Sequence, residues 1–486
     1  MQDKAAEIKE PEEESPEKTM NNSGLKSYVI YQFQALGVTG VGMGTLVSLM
    51  AMGYTSTALP SMRKDPHFSI TPEQESWVGA VMPACALLGS VASGPLVDRL
   101  GRRATLIHIT WPMMLSWVMI AWAEGVGGVL AGRMLGGLCV GVQTAARVVY
   151  VSEILELKLR SALSVIPAAT ANLGLLVSYG AGNYLTWRGL AWLGAVLSLP
   201  TVMFFYHVPE TPYYLTRTGK REESLAALRQ LRRTAQIAEE EQRDISNKCS
   251  SGENNAHVSM WELIQPPNLW PVGVAAALMV AQQTTGYMAV VSFTSNILNA
   301  GGEGASNSSS SSVFLGVFNF LATFAGIYVM ARCERRYLLR VSTVILMASL
   351  LALSLYFWAL NAGGSVAAIA NSMNLVPVMA LTAYHLGSSI GWRILPWVFV
   401  SEGMPSRVRG KAVAVVVAIN WASAFLITKT FGWCMAALGG HTTFLAYAVM
   451  TGVSTLFIHP IMPETFRQSI TKMDQLYQEA VKRKQQ

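Results

Sequence analysis

The chain has 486 residues, of which 51% are hydrophobic and only 13% are charged, and its formal net charge at pH 7 is +7. Soluble domains carry about 25% charged residues, whereas here the charges fall in short islands between apolar stretches long enough to cross a hydrocarbon core of about 30 Å. The composition therefore excludes a string of soluble domains and predicts an all-α membrane protein with many spans. The basic residues stand at predicted span ends, which argues against nucleic-acid binding.

Residues 1–27 are acidic, rich in Pro and Glu and without an apolar core, so they predict a disordered cytosolic tail rather than a signal peptide. Twelve apolar segments follow, and we expect transmembrane spans at 31–59, 76–97, 104–123, 126–151, 161–183, 187–207, 271–298, 312–331, 338–360, 373–401, 411–434 and 442–461. The expected organisation is an N-terminal six-helix bundle over 28–207, a cytosolic helical linker over 208–270, a C-terminal six-helix bundle over 271–462 and a cytosolic tail over 463–486.

The short loops between spans alternate between the two sides of the membrane. The loops on one side contain twelve Lys and Arg residues and those on the other side contain three. The positive-inside rule places the richer set, and with it both termini, in the cytoplasm. The loop before span 8 then faces outside, and its Asn307-Ser308-Ser309 sequence predicts glycosylation at Asn307. Five cysteines without a CxxC pair predict free thiols, and no ligand spacing predicts a metal site or a cofactor.

Three sequence fragments recur in the same order in each half of the chain. The pairs are "VDRLGRR" (97–103) with "ARCERRYLLR" (331–340), "VSE" (151–153) with "VSE" (400–402), and "PET" (209–211) with "PET" (463–465). A two-fold repeat of six spans is typical of transporters in which two bundles rock about a site near the middle of the membrane. Arg160 follows Glu153 at the spacing at which Arg409 follows Glu402, so both pairs are candidates for a cytoplasmic latch. Ordinary topology with chance ion pairs is the alternative.

A set of motifs extends along the whole chain: "GPLVDRLGRR" (94–103), Arg133 with Gly136, Gly137, Tyr150 and Glu153, the two PET fragments, "MGYTSTALP" (52–60) and "AINWASAFLITKTF" (418–431). Together, over residues 30–470, they resemble the sugar porter family of the major facilitator superfamily, and its insect facilitated trehalose and hexose transporters most of all. The resemblance implies the major facilitator fold, two pseudo-symmetric six-helix bundles. Together with the repeats, the resemblance implies a gating network of charged residues: Asp98, Arg99, Arg102, Arg103, Arg133, Glu153, Arg160, Glu210, Arg335, Arg336, Glu402, Arg409 and Glu464.

The resemblance also assigns Gln282 and Gln283, in span 7, to a substrate site. The family carries an amide pair here that hydrogen-bonds sugar hydroxyls, and an amide offers both the donors and the acceptors that a polyol needs. Polar groups at this depth are tolerated where they line a wet cavity, and bonding to a neighbouring helix is the alternative. Further candidates at related positions are Asn172, Tyr287, Met288, Asn319, Arg393, Trp397, Asn420 and Trp421. For the tryptophans, core packing or lipid contact is the alternative.

Two stretches depart from the family pattern. After Gly286 the family has Ile-Asn, whereas this chain has Tyr287-Met288 and so lacks one amide. In span 10 the stretch 393–397, Arg-Ile-Leu-Pro-Trp, replaces Gly-Pro-x-Pro-Trp. An arginine inside a span, where acidic residues stand only at the cytoplasmic ends of the spans, indicates a functional site by default. Arg393 could bind the sugar, anchor a substrate carboxylate, plug the inner gate or cap helix carbonyls.

The function that the resemblance implies is facilitative (uniport) transport of a sugar, trehalose or a hexose, by alternating access in the plasma membrane. Proton-linked family members carry an Asp in span 1, whereas residues 28–62 contain no Asp or Glu. The predicted spans offer few titratable groups, among them His108, His385 and His459, so a proton-coupled symporter is one alternative. The departures favour a transport-deficient sugar sensor as another. No motif predicts an enzyme, and the expected partners are a small-molecule sugar and the lipid bilayer.

Overall fold

The computed structural model describes residues 16–156, 163, 165–250, 260–265, 268–300, 305–373, 375–404 and 408–464, and the regular structure within these ranges is helical. The helices of the spans are Pro16–Lys64 (span 1), Pro72–Leu100 (span 2), Arg102–Ala121 (span 3), Val126–Ile154 (span 4), Val165–Ala181 (span 5), Trp187–Tyr206 (span 6), Leu269–Thr284 with Tyr287–Ala300 (span 7), Ala305–Met330 (span 8), Arg335–Asn361 (span 9), Val376–Ile390 with Leu395–Glu402 (span 10), Arg409–Ala437 (span 11) and Gly439–Ile461 (span 12).

Ten of these spans are long and apolar enough, within the described residues, to cross a membrane. Span 10 adds an eleventh when it is counted with the short helix Gly364–Ser372, from which it is bent by 62°. Span 5 is a helix of 17 residues inside the predicted segment 161–183. The prediction of an all-α membrane protein is therefore confirmed, and every predicted segment coincides with a helix.

Two segments that were expected to be irregular are helical instead. The helix of span 1 begins at Pro16, inside the tail predicted to be disordered, while residues 1–15 lie outside the described part of the chain. Proline suits a first helical turn because its missing N–H would be unpaired there anyway. The helix of span 8 begins at Ala305 in the Ser-rich segment, so Asn307 stands in its first turn. Glycosylation of Asn307 stays a prediction.

The described part of the linker is helical, as predicted, with elements Pro212–Arg217, Arg221–Leu231, Ala235–Ser250 and the 3₁₀ turn Met260–Leu263. Two contacts attach it to the N-terminal half. Gln34 Nε2 donates to the carbonyl of Leu231 (2.7 Å), and Arg232 Nη1 donates to the carbonyl of Ile154 (3.0 Å). Arg232 is only 4% exposed, and Glu241 in the same linker accepts its remaining donors.

The two halves of the protein use the same helix neighbours. In the N-terminal half span 4 packs on spans 2 and 3, span 6 on spans 1 and 3, and span 5 on span 1. In the C-terminal half span 10 packs on spans 8 and 9, span 12 on spans 7 and 9, and span 11 on span 7. Each pair of packed spans in the C-terminal half has the same numbers as a pair in the N-terminal half with six added. The two halves are therefore structural repeats. Between the halves, span 2 packs on span 11, span 5 on span 8, and span 1 on the second helix of span 7.

The acid of each PET fragment caps the first turn of a helix in its own half. A helix N-terminus has unpaired N–H groups and a positive dipole end, both of which favour a carboxylate. The Glu210 carboxylate accepts the backbone N–H of Arg102 and of Arg103 at span 3 (3.0 Å each). Glu464 accepts the backbone N–H groups at the start of span 9 in the same way, those of Arg335 and Arg336 (3.1 Å each). The repeated fragments thus have a local structural role.

Replacing Glu464 by alanine should lower the free energy of unfolding by about 1 kcal/mol, because two N–H groups lose a charged acceptor. Thermal or chemical unfolding of the purified full-length protein in detergent measures this. Glu334→Ala is the matched control, since Glu334 stands at the same helix start but its side chain makes no capping bond. Equal losses for the two variants would contradict the capping role.

Candidate functional site

Span 7 is broken directly after two buried amides. Its first helix ends at Thr284, and Gly286 follows with φ of 84°, a conformation that favours glycine. A Cβ at this position would also lie only 2.8 Å from the ring of Tyr447. Gln282 and Gln283, 4% and 2% exposed, are therefore held near the middle of the Leu269–Ala300 span, at a break in the helix.

The Gln282 side chain bonds to the backbone at a second helix break, in span 10. Pro396 has no N–H, so the helix itself cannot supply a donor to the carbonyl of Trp392. Gln282 Nε2 donates to that carbonyl (2.9 Å) and to the carbonyl of Arg393 (3.0 Å). In this form of the protein Gln282 bonds to a neighbouring helix, the alternative that the sequence left open. Sugar binding by Gln282 stays a prediction.

Asn420 of span 11 joins the two glutamines. Its Nδ2 donates to Gln282 Oε1 (3.0 Å), and its Oδ1 accepts from Gln283 Nε2 (3.4 Å). Gln283 Oε1 and Trp421 Nε1 are buried atoms without a hydrogen-bond partner. Buried polar atoms are paired in the great majority of cases. These two atoms, an acceptor and a donor, are therefore available to water or to a ligand.

Arg393 connects the two halves at mid-depth. Its Nη1 donates to Asn172 Oδ1 in span 5 (2.9 Å) and to Asn319 Oδ1 in span 8 (2.6 Å). Its Nη2 donates to Thr323 Oγ1 (2.9 Å), and Asn319 Nδ2 donates to Asn172 Oδ1 (3.0 Å). The guanidinium is thus held by neutral oxygens, with no acidic residue of the described chain paired to it. It interacts electrostatically with Tyr287 as well.

The remaining candidates lie around these groups with varying exposure. Tyr287 and Met288 form the first turn of the second helix of span 7 and are 8% and 5% exposed. Trp397 stands one turn beyond Arg393 and is partly buried against the core. The amides of spans 7 and 11 therefore bond one another within the C-terminal half, and beside them Arg393 of span 10 and Asn319 of span 8 bond Asn172 of the N-terminal half. Such a set can donate to and accept from several hydroxyls of one ligand.

The family described as "Sugar (and other) transporter" matches residues 35–477. The chain belongs to the sugar transporter family. The matched range covers spans 2 to 12, the greater part of span 1, and the amide cluster of Gln282, Gln283 and Asn420. Members of this family are transporters and not enzymes.

Curated members of the sugar transporter family match most of the chain. Facilitated trehalose transporter Tret1 of Polypedilum vanderplanki is 33% identical over 93% of this chain and 89% of its own length. Facilitated trehalose transporter Tret1 of Anopheles gambiae is 34% identical over 93% of this chain and 56% of its own length.

Solved structures with the same fold are far less similar in sequence. The proton:xylose symporter XylE bound to 6-bromo-6-deoxy-D-glucose gives a TM-score of 0.74 at 19% identity, covering 93% of this chain and 100% of that one. A partially occluded inward open form of XylE from E. coli gives 0.76 at 17% identity, covering 90% and 100%. At these identities the likeness shows the fold alone, which is the major facilitator fold.

The charges of this sugar transporter pair differently from the expected latch. Glu153 bonds Arg102 (3.0 Å), which also lies 3.8 Å from Asp98, and Asp98 pairs with Arg217 of the linker (3.0 Å). These contacts lie within the N-terminal half and its linker. Arg160 lies outside the described residues, and the side chains of Glu402 and Arg409 are outside them too. The latch between Glu and Arg seven residues apart stays a prediction.

The other network candidates also have local contacts. Arg103 Nε donates to the carbonyl of Phe205 (2.7 Å), and Arg336 Nε to that of Met462 (2.6 Å), in equivalent places of the two halves. The Arg99 carbonyl accepts from the hydroxyl of Tyr214 in the linker (2.9 Å). Arg335 Nη1 donates to the carbonyl of Met330.

Arg133 lies apart from these charges in this structure, and its part in the gating network stays a prediction. It precedes Glu153 by twenty residues, about 30 Å along span 4 at 1.5 Å per residue. It is 2% exposed, and Nη1 donates to the carbonyl of Ala51 in span 1 (3.1 Å). A family motif gives the position of an arginine in the sequence but not its depth in the bundle.

Sequence reasoning missed a set of hydroxyl contacts at the far end, which we define as the end of the bundle opposite the linker. Ser56 of span 1 bonds Ser295 of span 7 (3.1 Å), and Tyr179 of span 5 donates to the carbonyl of Val291 (2.8 Å) and bonds Thr294 (3.1 Å). All five residues are buried. Hydroxyls are common in apolar helices, where they bond their own backbone, so no sequence signal distinguished these.

The two glutamines should respond differently to substitution. Gln283→Ala should raise the KM of sugar uptake roughly five- to tenfold with little loss of stability, because it removes an unpaired acceptor and a long hydrogen bond. Gln282→Ala should lower the free energy of unfolding by about 2 kcal/mol, because two buried carbonyls and Asn420 lose their partner. Saturation kinetics and thermal unfolding measure the two effects. Identical behaviour of the variants would contradict this division.

Proposed function

We propose that this chain is a facilitative carrier, a uniporter, for a sugar, trehalose or a hexose, and that it works by alternating access. The observation that carries the proposal is the amide cluster of Gln282, Gln283 and Asn420 beside Arg393 and Asn172. It supplies hydroxyl-binding groups where the two halves meet. Relatives that align with nearly the whole chain bear the name facilitated trehalose transporter, which supports the choice of sugar.

In the proposed complex, sugar hydroxyls take the hydrogen bonds that the buried cluster leaves open. Gln283 Oε1 accepts from one hydroxyl and Trp421 Nε1 donates to another, so both orphaned atoms gain partners. The ring of Trp397 or Trp421 covers the apolar C–H face of the sugar. A site that hydrogen-bonds hydroxyls in this way discriminates strongly against ligands that lack them, because its own buried groups would stay unpaired.

The contacts at the far end support one half of the transport cycle. The bonds of Ser56 with Ser295 and of Tyr179 with Thr294 join the halves there. In the proposed cycle these bonds hold the far end closed while the sugar exchanges at the linker end, and they break when the halves rock the other way. The second helix of span 7 carries both Ser295 and Thr294 and is separated from the first by Gly286, so it can move as a unit.

The orientation and the membrane are part of the proposal. The excess of Lys and Arg in the loops at the linker end supports a cytoplasmic location for that end and for both termini. The far end then faces the outside. We place the carrier in the plasma membrane, where a facilitative carrier moves sugar down the gradient between the cell and its surroundings.

The titratable groups favour uniport over proton coupling. Within the described spans the acidic residues, such as Glu75, Asp98 and Glu153, stand near span ends, and none contacts the amide cluster. His385 is the histidine at mid-span. It is fully buried, and neither ring nitrogen has a hydrogen-bond partner. A proton carrier needs a titratable group that exchanges protons with the cavity. His385 feels the charge of Arg393, but no hydrogen bond links its ring to the amide cluster.

Uptake of radiolabelled trehalose and glucose into proteoliposomes, with and without an imposed proton gradient, tests the function. We expect saturable flux that equilibrates and does not depend on the gradient. Accumulation driven by the gradient, and lost in His385→Asn, would make the protein a symporter. Binding without flux would make it a sensor. Empty liposomes are the control.

Arg393→Gln should raise the KM for sugar roughly tenfold, because Asn172 and Asn319 lose the donor that orients their amides. Arg393→Lys is the matched variant. It keeps the charge but lacks the fork that reaches three oxygens at once, so its KM should fall between those of Gln and wild type. The same uptake assay measures all three. A KM for Arg393→Gln at or below the wild-type value would show that the guanidinium blocks the site instead.

A further inference from the structure

A small cavity lies inside the N-terminal half, where spans 1 to 4 meet. Its volume is about 10 Å³, enough for a single water-sized guest. Ala51, Met82, Trp117 and Arg133 contribute to its wall from the four spans in turn. None of the residues of the amide cluster lines it, so it is separate from the proposed sugar site.

Two nitrogen atoms of the cavity wall are orphaned donors. Trp117 Nε1 and Arg133 Nε are both buried and have no hydrogen-bond partner. Their side chains are 1% and 2% exposed. An unpaired buried polar group costs free energy, and here two residues of one cavity wall each leave an N–H group unpaired. The missing partner must therefore be an acceptor.

The charge of Arg133 is also uncompensated. A guanidinium remains protonated in proteins, and that of Arg133 has a backbone carbonyl, of Ala51, and the ring of Tyr54 as neighbours (5.9 Å from the guanidinium carbon to the ring centroid). No Asp or Glu in the described ranges forms an ion pair with it. A buried cation without a counter-charge is strongly destabilising.

We propose that this cavity binds one monatomic anion, chloride, between Arg133 Nε and Trp117 Nε1. A chloride ion accepts from both donors and balances the guanidinium charge. A water molecule would accept from both as well, but it would bring two protons in need of acceptors and would leave the charge unbalanced. Gluconate, a six-carbon anion, is too large for a space of about 10 Å³.

The anion would join span 3 to span 4 through its bonds to Trp117 and Arg133. Trp117 belongs to span 3 and Arg133 to span 4, and the Trp117 ring meets Tyr54 of span 1 edge-on with centroids 5.5 Å apart. An anion bound by the first two residues therefore fixes the packing of three helices of the N-terminal half. The inference goes beyond the proposed function and does not depend on which sugar is carried.

The test is thermal unfolding of the purified full-length protein, with sodium chloride titrated against sodium gluconate at constant ionic strength. We expect a saturable rise in the melting temperature with chloride, a similar rise with bromide, and none with gluconate. Arg133→Gln should abolish the response. Trp117→Phe keeps the ring but lacks the donor, so its chloride midpoint should rise roughly five- to tenfold.

Arg147→Gln is the matched control. Arg147 lies in the same span and bonds the hydroxyls of Ser48 and Thr144, but it does not line the cavity. It should keep the wild-type chloride midpoint. If Arg133→Gln fails to fold, the comparison of Trp117→Phe with wild type decides. Equal responses to chloride and gluconate, or an unchanged midpoint in Trp117→Phe, would overturn the proposal and leave a buried water as the occupant.

Discussion

The structure depends on one constraint: hydrocarbon offers no hydrogen bonds, so every polar group that a broken helix releases must find a partner inside the protein. Pro396 releases the carbonyl of Trp392, and Gln282 supplies the donor. With Gln282 fixed in this way, its oxygen accepts from Asn420, and the oxygen of Asn420 in turn orients Gln283. The break in span 10 therefore sets the orientation of a chain of amides that ends in the atom we assign to sugar.

The same constraint operates at the helix ends. Each half places one carboxylate on the N-terminus of its third helix, from Glu210 or Glu464, and one arginine of that helix reaches back to a carbonyl near the end of its sixth. These bonds are internal to a half, so they keep each bundle rigid without resisting movement between the bundles. Rigid halves and few directional ties between them are what a rocking mechanism requires.

The sequence predicted the spans, the two-fold repeat and the helical linker, because hydrophobic runs, charge islands and repeated fragments report directly on those features. It did not predict which atoms meet. Glu153 bonds Arg102 of span 3, and Arg133 lies deep in span 4, because helix rotation and depth decide such contacts. Gln282 was recognised as a polar residue at the right depth, but its bonds to span 10 depend on a helix break whose partner is more than one hundred residues away. The partners of Arg393 lie on two other spans, and no sequence pattern indicated them.

The linker is anchored to one half by Arg232 and Gln34, which bond the end of span 4 and the second linker helix. The linker helices up to Ser250 therefore travel with the N-terminal half when the two bundles rotate, whereas the 3₁₀ turn Met260–Leu263 packs on span 11. A fluorophore on the exposed side of Arg221–Leu231 and a second one at the start of span 9 would sit on different rigid bodies. The energy transfer between them would then report each reorientation of a single molecule in real time, without any label near the translocation path.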